Sequence, residues 1–465
     1  MKNNYTFKTN KILLLLSVLF LTFTSCEDFL EEDPSIGLSA DKLTDIASMN
    51  ALIHGAYDNM RGFYAYQPMI TSGFVRDYSV RNSANWAPYY KWTNTGVPNM
   101  FSGNSYGNGF RTLNKVNTVL NADVESMYGT AGEKSKVLGD AHFLRAAIYF
   151  QFHMTYTHPT TQKSVPLVTT VLGTNARVPQ ASGSELIAQF KYDIEEARKH
   201  FAVSDGVSTH KAATAMAARM YFYLGEYDLA YARANEVITS GAHSLEANVA
   251  DIYSRGNASA EAIYTIITNR TENNFGVSTI MNANMKADKD TGVASLNPYG
   301  LIAQLRNANP TDNRFSSLMT EADGLVYIDK KYPSVSSDYI VLRLAEMYLT
   351  RAESNIMKNG SVSAADVADI NMLRNRASAG LISGVPSTED MLEIIYNERS
   401  IELCFEWGDR FYNTRRLQKD IVAEGGNGVI PFSTYNTLLV YPLSNQDTDI
   451  PVSYTHLTLP TIYSV

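Results

Sequence analysis

The sequence predicts a mainly α-helical fold in which helices come in stacked pairs, interrupted by long irregular loops and a few short strands. Three observations carry this. Apolar residues recur at helical spacing through most of the chain, helix candidates sit in pairs separated by glycine-containing turns, and strand-like runs are sparse. At 465 residues the chain exceeds the usual compact domain, so it is either two domains or one large helical array that grows by repetition. Its 45% hydrophobic content supplies ample core.

The first element stands apart from that core. Lys2, Lys8 and Lys11 precede an apolar run, Ile12 to Phe23, of signal-peptide length and too short for a comfortable membrane span. Thr24-Ser25-Cys26 follows and resembles the lipobox of bacterial lipoproteins, with Phe23 where that motif prefers Leu. Residues 1–25 are therefore expected to be a lipoprotein signal peptide and Cys26 the lipidated residue; an ordinary secretory signal with an incidental cysteine is the alternative. Glu27, Asp28, Glu31, Glu32 and Asp33 make residues 26–40 an acidic, solvated tether, which also resembles the acidic stretch that marks some lipoproteins for surface export.

Removal of three lysines and no acids takes the formal charge from −8 to −11, which argues against nucleic acid as a partner. Lipidation of Cys26 leaves Cys404 alone, so packing rather than a disulfide must stabilise the fold. A lone cysteine in an apolar helix reads as a small buried hydrophobe.

Helical periodicity covers Lys42 to Met60, Tyr106 to Ala122, Lys134 to Tyr156, Ser184 to Phe201, His210 to Leu224, Asp228 to Ser240, Asp338 to Lys358, Ala364 to Ala379 and Thr388 to Trp407. Strand signals are Ala262 to Thr268, with short pieces at Val165 to Thr169 and Leu325 to Asp329. Ala213, Ala217 and Ala218 let two helices approach closely, and Gly225, Tyr227 and Ala230 fit the turn and second helix of a tetratricopeptide unit. A second pair turns at Asn359-Gly360, where glycine accepts a left-handed backbone. Looser versions begin near Leu138 and Ala51. Each pair exposes an apolar face that only a stacked neighbour can bury.

Two long irregular stretches remain, Arg61 to Met100 and Arg270 to Ser337. The first holds Phe63, Tyr64, Tyr66, Phe74, Tyr78, Trp86, Tyr89, Tyr90 and Trp92, a composition foreign to disordered segments.

Motifs for chemistry are missing. There is no H-E-x-x-H, no phosphate-binding glycine loop and no G-x-S-x-G. No cofactor or metal is expected. Carboxylates remain: Glu398, Glu402 and Glu406 recur at i, i+4 spacing among Ile401, Leu403, Cys404, Phe405, Trp407 and Phe411. A glycosidase pair must flank a sugar bond about 5–10 Å apart across a cleft, which one helix face does badly. Glu406 and Arg410 form a favourable i, i+4 pair, and Glu398 and Glu402 call for cross-helix partners such as Arg343, Arg351, Arg374 or Arg376. The acids are thus expected to be a structural ion network that fixes packing register, with no catalytic residue.

Taken in order, the lipobox-like Cys26 with EDFLEEDP, GDAHFLRAAIYFQF (Gly139 to Phe152), AATAMAARMYFYLGEYDLA (Ala212 to Ala230), YIVLRLAEMYLTRAES (Tyr339 to Ser354) and NERSIELCFEWGDRFYNTRRL (Asn397 to Leu417) resemble the SusD/RagB outer-membrane nutrient-binding lipoproteins. The resemblance spans Cys26 to about Ile450 and implies a single SusD-like helical domain over residues 41–450. Four tetratricopeptide-like pairs would carry ligand-binding loops, here 61–105 and 270–337. It further implies a lipid-anchored, surface-exposed, non-enzymatic protein of the outer membrane that hands oligosaccharide to a SusC-like TonB-dependent transporter. A RagB-like peptide importer and, more remotely, a glycoside hydrolase are the alternatives.

Sugar rings have apolar C–H faces that stack on aromatic rings, with amides and guanidinium groups bonding their hydroxyls. Trp86, Tyr89, Tyr90 and Trp92, with Arg81, Asn85 and Asn94, offer that mixture in one loop; about half of these rings are expected to pack the loop onto the helices instead. Asn297 and Tyr299 are further candidates in the second loop. The tail PVSYTHLTLPTIYSV (Pro451 to Val465) departs from the family pattern, resembles translated sequencing-adapter sequence and is expected to be non-native.

Overall fold

Eight helices stack in chain order into the scaffold: α1 (Ile46–Tyr64), α2 (Gly107–Asn121), α3 (Ala131–Tyr156), α4 (Gly183–Phe201), α5 (His210–Tyr223), α6 (Tyr227–Thr239), α7 (Leu344–Asn359) and α8 (Ala364–Arg376). The structure, a computed structural model, describes residues 43–81, 83, 85–92, 102–172, 177–268, 276–287 and 292–436. Cys26 with its flanking signal and tether, Asn94 and the tail 451–465 lie outside the described residues. Each scaffold helix packs on the next, α1 on α2 through to α7 on α8, so every apolar face is covered by its successor.

Local sequence sets the helix starts. Capping boxes open α3 (Thr130 with Glu133), α4 (Ser182 with Glu185) and α8 (Ser363 with Asp366), and Asp45 and Thr209 cap α1 and α5. Gly225 and Gly360 end α5 and α7 with positive φ, as the turn pattern predicts. Polar residues tie the layers together: Asp193 of α4 accepts from Arg145 and sits 2.7 Å from His142 Nδ1, both of α3, and Arg219 of α5 meets Glu346 of α7 at 2.5 Å. The last core layer joins Leu349 and Ile356 of α7, Ile370 and Leu373 of α8, and Met391 and Ile395 of the helix Thr388–Glu402.

Two predicted helices differ from what forms. Within Asp338 to Lys358, the first residues Tyr339–Arg343 are a strand, antiparallel to Ala262–Ile266 with Arg343 opposite Ala262. All five are buried, and a continuous buried apolar run gives no period to separate strand from helix. Thr388 to Trp407 stops at Glu402, because Phe405 and Gly408 adopt positive φ before a new helix, Asp409–Arg416, begins. Gly408 is obligatory there, since a Cβ would lie 2.8 Å from the Tyr412 ring and 2.9 Å from Thr71.

The irregular stretches contain short helices: Gln67–Phe74 and Ala87–Lys91 in the first, Val277–Asn284, Leu301–Ala308 and Asn313–Leu318 in the second. All eight residues of Gln67–Phe74 are buried, which erases the polar face that periodicity needs. The two stretches clasp each other: Tyr78–Val80 pairs antiparallel with Ala294–Leu296, and Trp86 Nε1 donates to Asn284 Oδ1 at 2.7 Å. Among the described residues no helix is long and apolar enough to cross a membrane.

Candidate ligand-binding surface

The acids of the Asn397 to Leu417 stretch are locked. Glu398 binds Arg314 at 2.6 Å and Arg374 at 2.9 Å; Glu402 binds Arg314 at 2.8 Å, Arg343 at 2.7 Å and Arg376. Glu406 takes Arg343 at 3.0 Å, Lys331 at 2.9 Å and the Tyr253 hydroxyl at 2.9 Å. Glu261 bridges Arg343 and Arg376, and Asp312 holds Arg314 at 2.7 Å, so five buried carboxylates meet five cations, of which Arg314, Lys331 and Arg343 are buried and Arg374 and Arg376 are partly so. Burial alone would raise the Glu402 carboxyl, but Arg376, Arg343 and Arg314 outweigh it and hold the group well below its usual range. Burial and the cations Arg343 and Lys331 oppose each other at Glu406 in the same way, with the same lowered result.

A glycosidase acid needs the opposite shift and room for a sugar. The cavity beside Glu406 measures about 10 Å³, the scale of a single water. The expected partners Arg343, Arg374 and Arg376 are in place, whereas Arg351 pairs with Asp369 instead. The predicted Glu406–Arg410 pair does not form, because the first helix ends at Glu402 and leaves Glu406 in the turn before the helix that carries Arg410: Arg410 Nε donates to Asp77 Oδ1 at 2.5 Å. Arg314, central to the network, lies in the second irregular stretch and gave no local signal. Cys404 is buried, its thiol pushed up mainly by that burial, as befits a small hydrophobe.

The aromatic loop divides into foundation and rim. Trp86, Tyr89 and Tyr90 are each under a tenth exposed. Trp86 leans on Tyr66 at 6.0 Å between ring centroids, and Tyr89 meets Phe74 at 5.8 Å; Phe74 in turn meets Phe411 at 5.4 Å. This aromatic chain fastens the loop to the helix just after the ion network. Burial raises the hydroxyl of Tyr66 to about 12 and that of Tyr89 further, so both remain neutral donors.

Trp92 is only partly buried and caps its short helix in the left-handed region at φ 57°. Its Nε1 donates to the Phe74 carbonyl at 3.0 Å, and Tyr435 lies 5.8 Å away. The Arg76 guanidinium lies 4.4 Å from the Trp92 ring and 5.3 Å from Tyr90; Arg76 is itself left-handed at φ 57°. Two facing non-glycine residues in this sparsely populated region mark a geometry that the surroundings enforce.

The second loop arrives through the same residue. Asn297 Nδ2 donates to the Arg76 carbonyl at 2.8 Å, and its Oδ1 accepts from the Tyr299 backbone at 3.1 Å. Tyr299 is 50% exposed, with its inner face on Gly426: a Cβ there would stand 2.5 Å from the ring. Trp92 and Tyr299, distant in sequence, thus attach to one anchor, Arg76. Asn85 is exposed; Arg81 is exposed as a residue, but its guanidinium donates to the Gly292 carbonyl and lies 5.5 Å from the Tyr327 ring. Arg76, Tyr435 and Gly426 were not legible as site residues. A half-open ring beside amides and cations can stack on an apolar ring face and bond its hydroxyls. No cluster of acids, histidines or cysteine among the described residues is arranged to hold a metal.

The SusD family model matches residues 199–437, just over half of the chain. The chain belongs to the SusD family. A second model, described as starch-binding and associating with the outer membrane, matches residues 28–222. SusD-like protein P2 of Formosa agariphila is 38% identical over 104 residues, 21% of this chain and 20% of that protein's length. Among solved structures, a SusD superfamily protein of Bacteroides thetaiotaomicron is similar with TM-score 0.74 at 20% identity, covering 87% of this chain and 98% of its own. A SusD-like carbohydrate-binding protein of Bacteroides vulgatus is similar with TM-score 0.70 at 16% identity, covering 87% and 96%. These likenesses establish the mainly α SusD-like fold.

Proposed function

We propose that this SusD-family chain is a non-catalytic, lipid-anchored protein of the outer-membrane surface. It captures oligosaccharide at the rim formed by Trp92 and Tyr299 and delivers it to a SusC-like TonB-dependent transporter. The observation that carries the reading is the half-exposed Tyr299 ring, one face fixed on Gly426, tied through Asn297 and Arg76 to Trp92. Buried Trp86, Tyr89 and Tyr90 fasten the loop that carries Trp92, with Tyr90 beside the same Arg76 guanidinium; Arg81, Asn85 and Asn94 belong to that loop in sequence.

Support for a glycan comes also from the starch-binding description of one matching family and the carbohydrate-binding name of one structural neighbour. Support against turnover comes from Glu402 and Glu406, whose carboxyls are lowered rather than raised, and from the space beside Glu406, which is only about 10 Å³. The anchor is Cys26, and the acidic residues after it form the tether.

Affinity electrophoresis against starch, xylan, laminarin and xyloglucan tests the reading, with retardation by at least one glycan expected. Free migration through all four, or a peptide co-purifying in place of sugar, overturns it. Release of reducing ends from any of these glycans would restore the hydrolase. Cys26→Ala is expected to move the protein from the membrane fraction to the soluble one.

A further inference from the structure

The dipeptide Asn-Gly occurs at three places in the chain: Asn108-Gly109, Asn359-Gly360 and Asn427-Gly428. This pair of residues carries a latent reaction. The glycine nitrogen can attack the asparagine side-chain carbonyl and close a cyclic imide, because the glycine has no Cβ to obstruct the approach. Attack requires the backbone to bring that nitrogen onto Cγ, so the surrounding fold decides which site reacts.

Two of the three are held in helices. Asn108 lies in α2, with its Oδ1 accepting from Arg111 at 3.3 Å, its amide packed on Gly62, and Gly109 buried against Phe152. Asn359 is the last residue of α7. There the Gly360 N–H donates to the Ile356 carbonyl at 2.8 Å, and Asn359 Nδ2 donates to Asn355 Oδ1 at 2.9 Å. Attack at either place has to break helical geometry first.

Asn427 is placed differently. It is exposed, as Asn359 is, but stands outside helix and strand at φ −82° and ψ 46°, near the tip of the hairpin that pairs Ile421–Val422 with Val429–Ile430. Its neighbours Gly425, Gly426 and Gly428 all have positive φ, and a Cβ on Gly428 would meet open space. Two backbone bonds close the tip: Ala423 N–H donates to the Gly428 carbonyl at 2.9 Å and Gly426 N–H to the Ala423 carbonyl at 3.1 Å. Neither uses the Gly428 nitrogen.

We propose that Asn427 is a self-modification site whose side-chain amide is lost spontaneously. The Gly428 nitrogen bonds to Asn427 Cγ, the Cγ–Nδ2 bond breaks, and Nδ2 leaves as ammonia with the proton that the glycine nitrogen gives up. Water then opens the imide at one of its two carbonyls, leaving aspartate or isoaspartate at position 427. Both products add a negative charge. Isoaspartate also adds a methylene to the backbone beside Gly426, the seat of the Tyr299 ring. Weaker glycan binding by aged protein follows; this consequence rests on the capture reading, whereas the reaction does not.

The test is peptide mapping by mass spectrometry of the whole mature protein held in mildly alkaline buffer, with isoaspartate methyltransferase labelling as a second readout. Asn427 is expected to convert at least about tenfold faster than Asn359 and Asn108, giving both products. In denaturant, where no helix holds the other two, the three rates should come together. Retardation by a glycan that fresh protein binds should fall about threefold on ageing and hold steady in Asn427→Gln, whose longer side chain closes the ring slowly.

Equal rates at Asn427 and Asn359 in the folded protein, or an Asn427 that keeps its amide, overturn the inference. Conversion with unchanged retardation overturns the consequence for binding. Conversion in protein that binds no glycan even when fresh overturns the capture reading and leaves the self-modification standing.

Discussion

The turn around Glu406 and the rim around Tyr299 are made from similar materials, aromatic rings set among charged and amide side chains, and they do opposite work. Around Glu406 every carboxylate is matched by a buried guanidinium or ammonium, and the adjoining space holds about one water. Around Tyr299 a ring keeps one face in protein and leaves the other half open. Aromatic and charged composition therefore does not distinguish a lock from a receptor. Closure does: a group whose bonding capacity is satisfied inside the fold has none to offer a ligand.

The largest effect expected from breaking this contrast is on the lock. Glu402→Gln leaves Arg343 and Arg376 under-compensated in the interior and should cost about 3–5 kcal/mol in denaturant unfolding. Glycan retardation of the fraction that remains folded should be unchanged. Loss of binding without loss of stability would place the function in the lock.

The pH dependence follows from the same carboxylate. Glu402 is depressed in the folded state, so its stabilisation is fully present above its ordinary value of 4.5 and is lost as pH falls through the folded value. The stability gap between wild type and Glu402→Gln should therefore be greatest at neutral pH and narrow in acid. Asp77 and Asp140 have the opposite sign. Burial, only partly offset at Asp77 by Arg410 and at Asp140 by hydrogen bonds led by Tyr57, raises each to about 6. Their contribution is full below 3.8 and fades as pH rises through 6. Thermal melts of both proteins from acid to neutral pH measure the gap; a gap that widens in acid would reverse the assignment.

Gly426→Ala sharpens the other side of the comparison. At φ 77°, with a Cβ forced to 2.5 Å from the Tyr299 ring, the substitution should cost roughly 1–2 kcal/mol and displace the ring. Binding should fall with it. Tyr299→Ala is the mildest for the fold, within about 1 kcal/mol for a half-exposed ring, yet it should weaken glycan retardation about tenfold. Equal stability losses in Tyr299→Ala and Glu402→Gln would erase the contrast between rim and lock.

Much of the scaffold was legible because its helices are amphipathic and paired. The turns at Gly225 and Gly360 are local signals that survive into the structure. The strand Tyr339–Arg343 was not, since a run buried on all sides shows no period. Nor were Gln67–Phe74 and the three short helices of the second stretch, whose form depends on what covers them. In the candidate site the aromatic loop stood out by composition. Which rings serve as foundation and which as rim did not, because Trp86 and Trp92 are equivalent in sequence and differ only in what packs on them.

The sequence by itself determined the helical pairing, through periodicity and turn glycines, the family, through its ordered resemblance blocks from Cys26 to Leu417, and the pairing of Glu398 and Glu402 with cations from elsewhere in the chain, through the cost of an unpaired buried charge. Only the tertiary structure decided that Arg314 joins that network, that Glu406 and Arg410 part company, and that Arg76 draws Trp92 and Tyr299 to one place. Those outcomes depend on contacts between residues more than eighty positions apart or on a left-handed backbone at Arg76, Trp92 and Phe405. Non-glycine side chains disfavour that conformation, so only the surrounding packing can impose it.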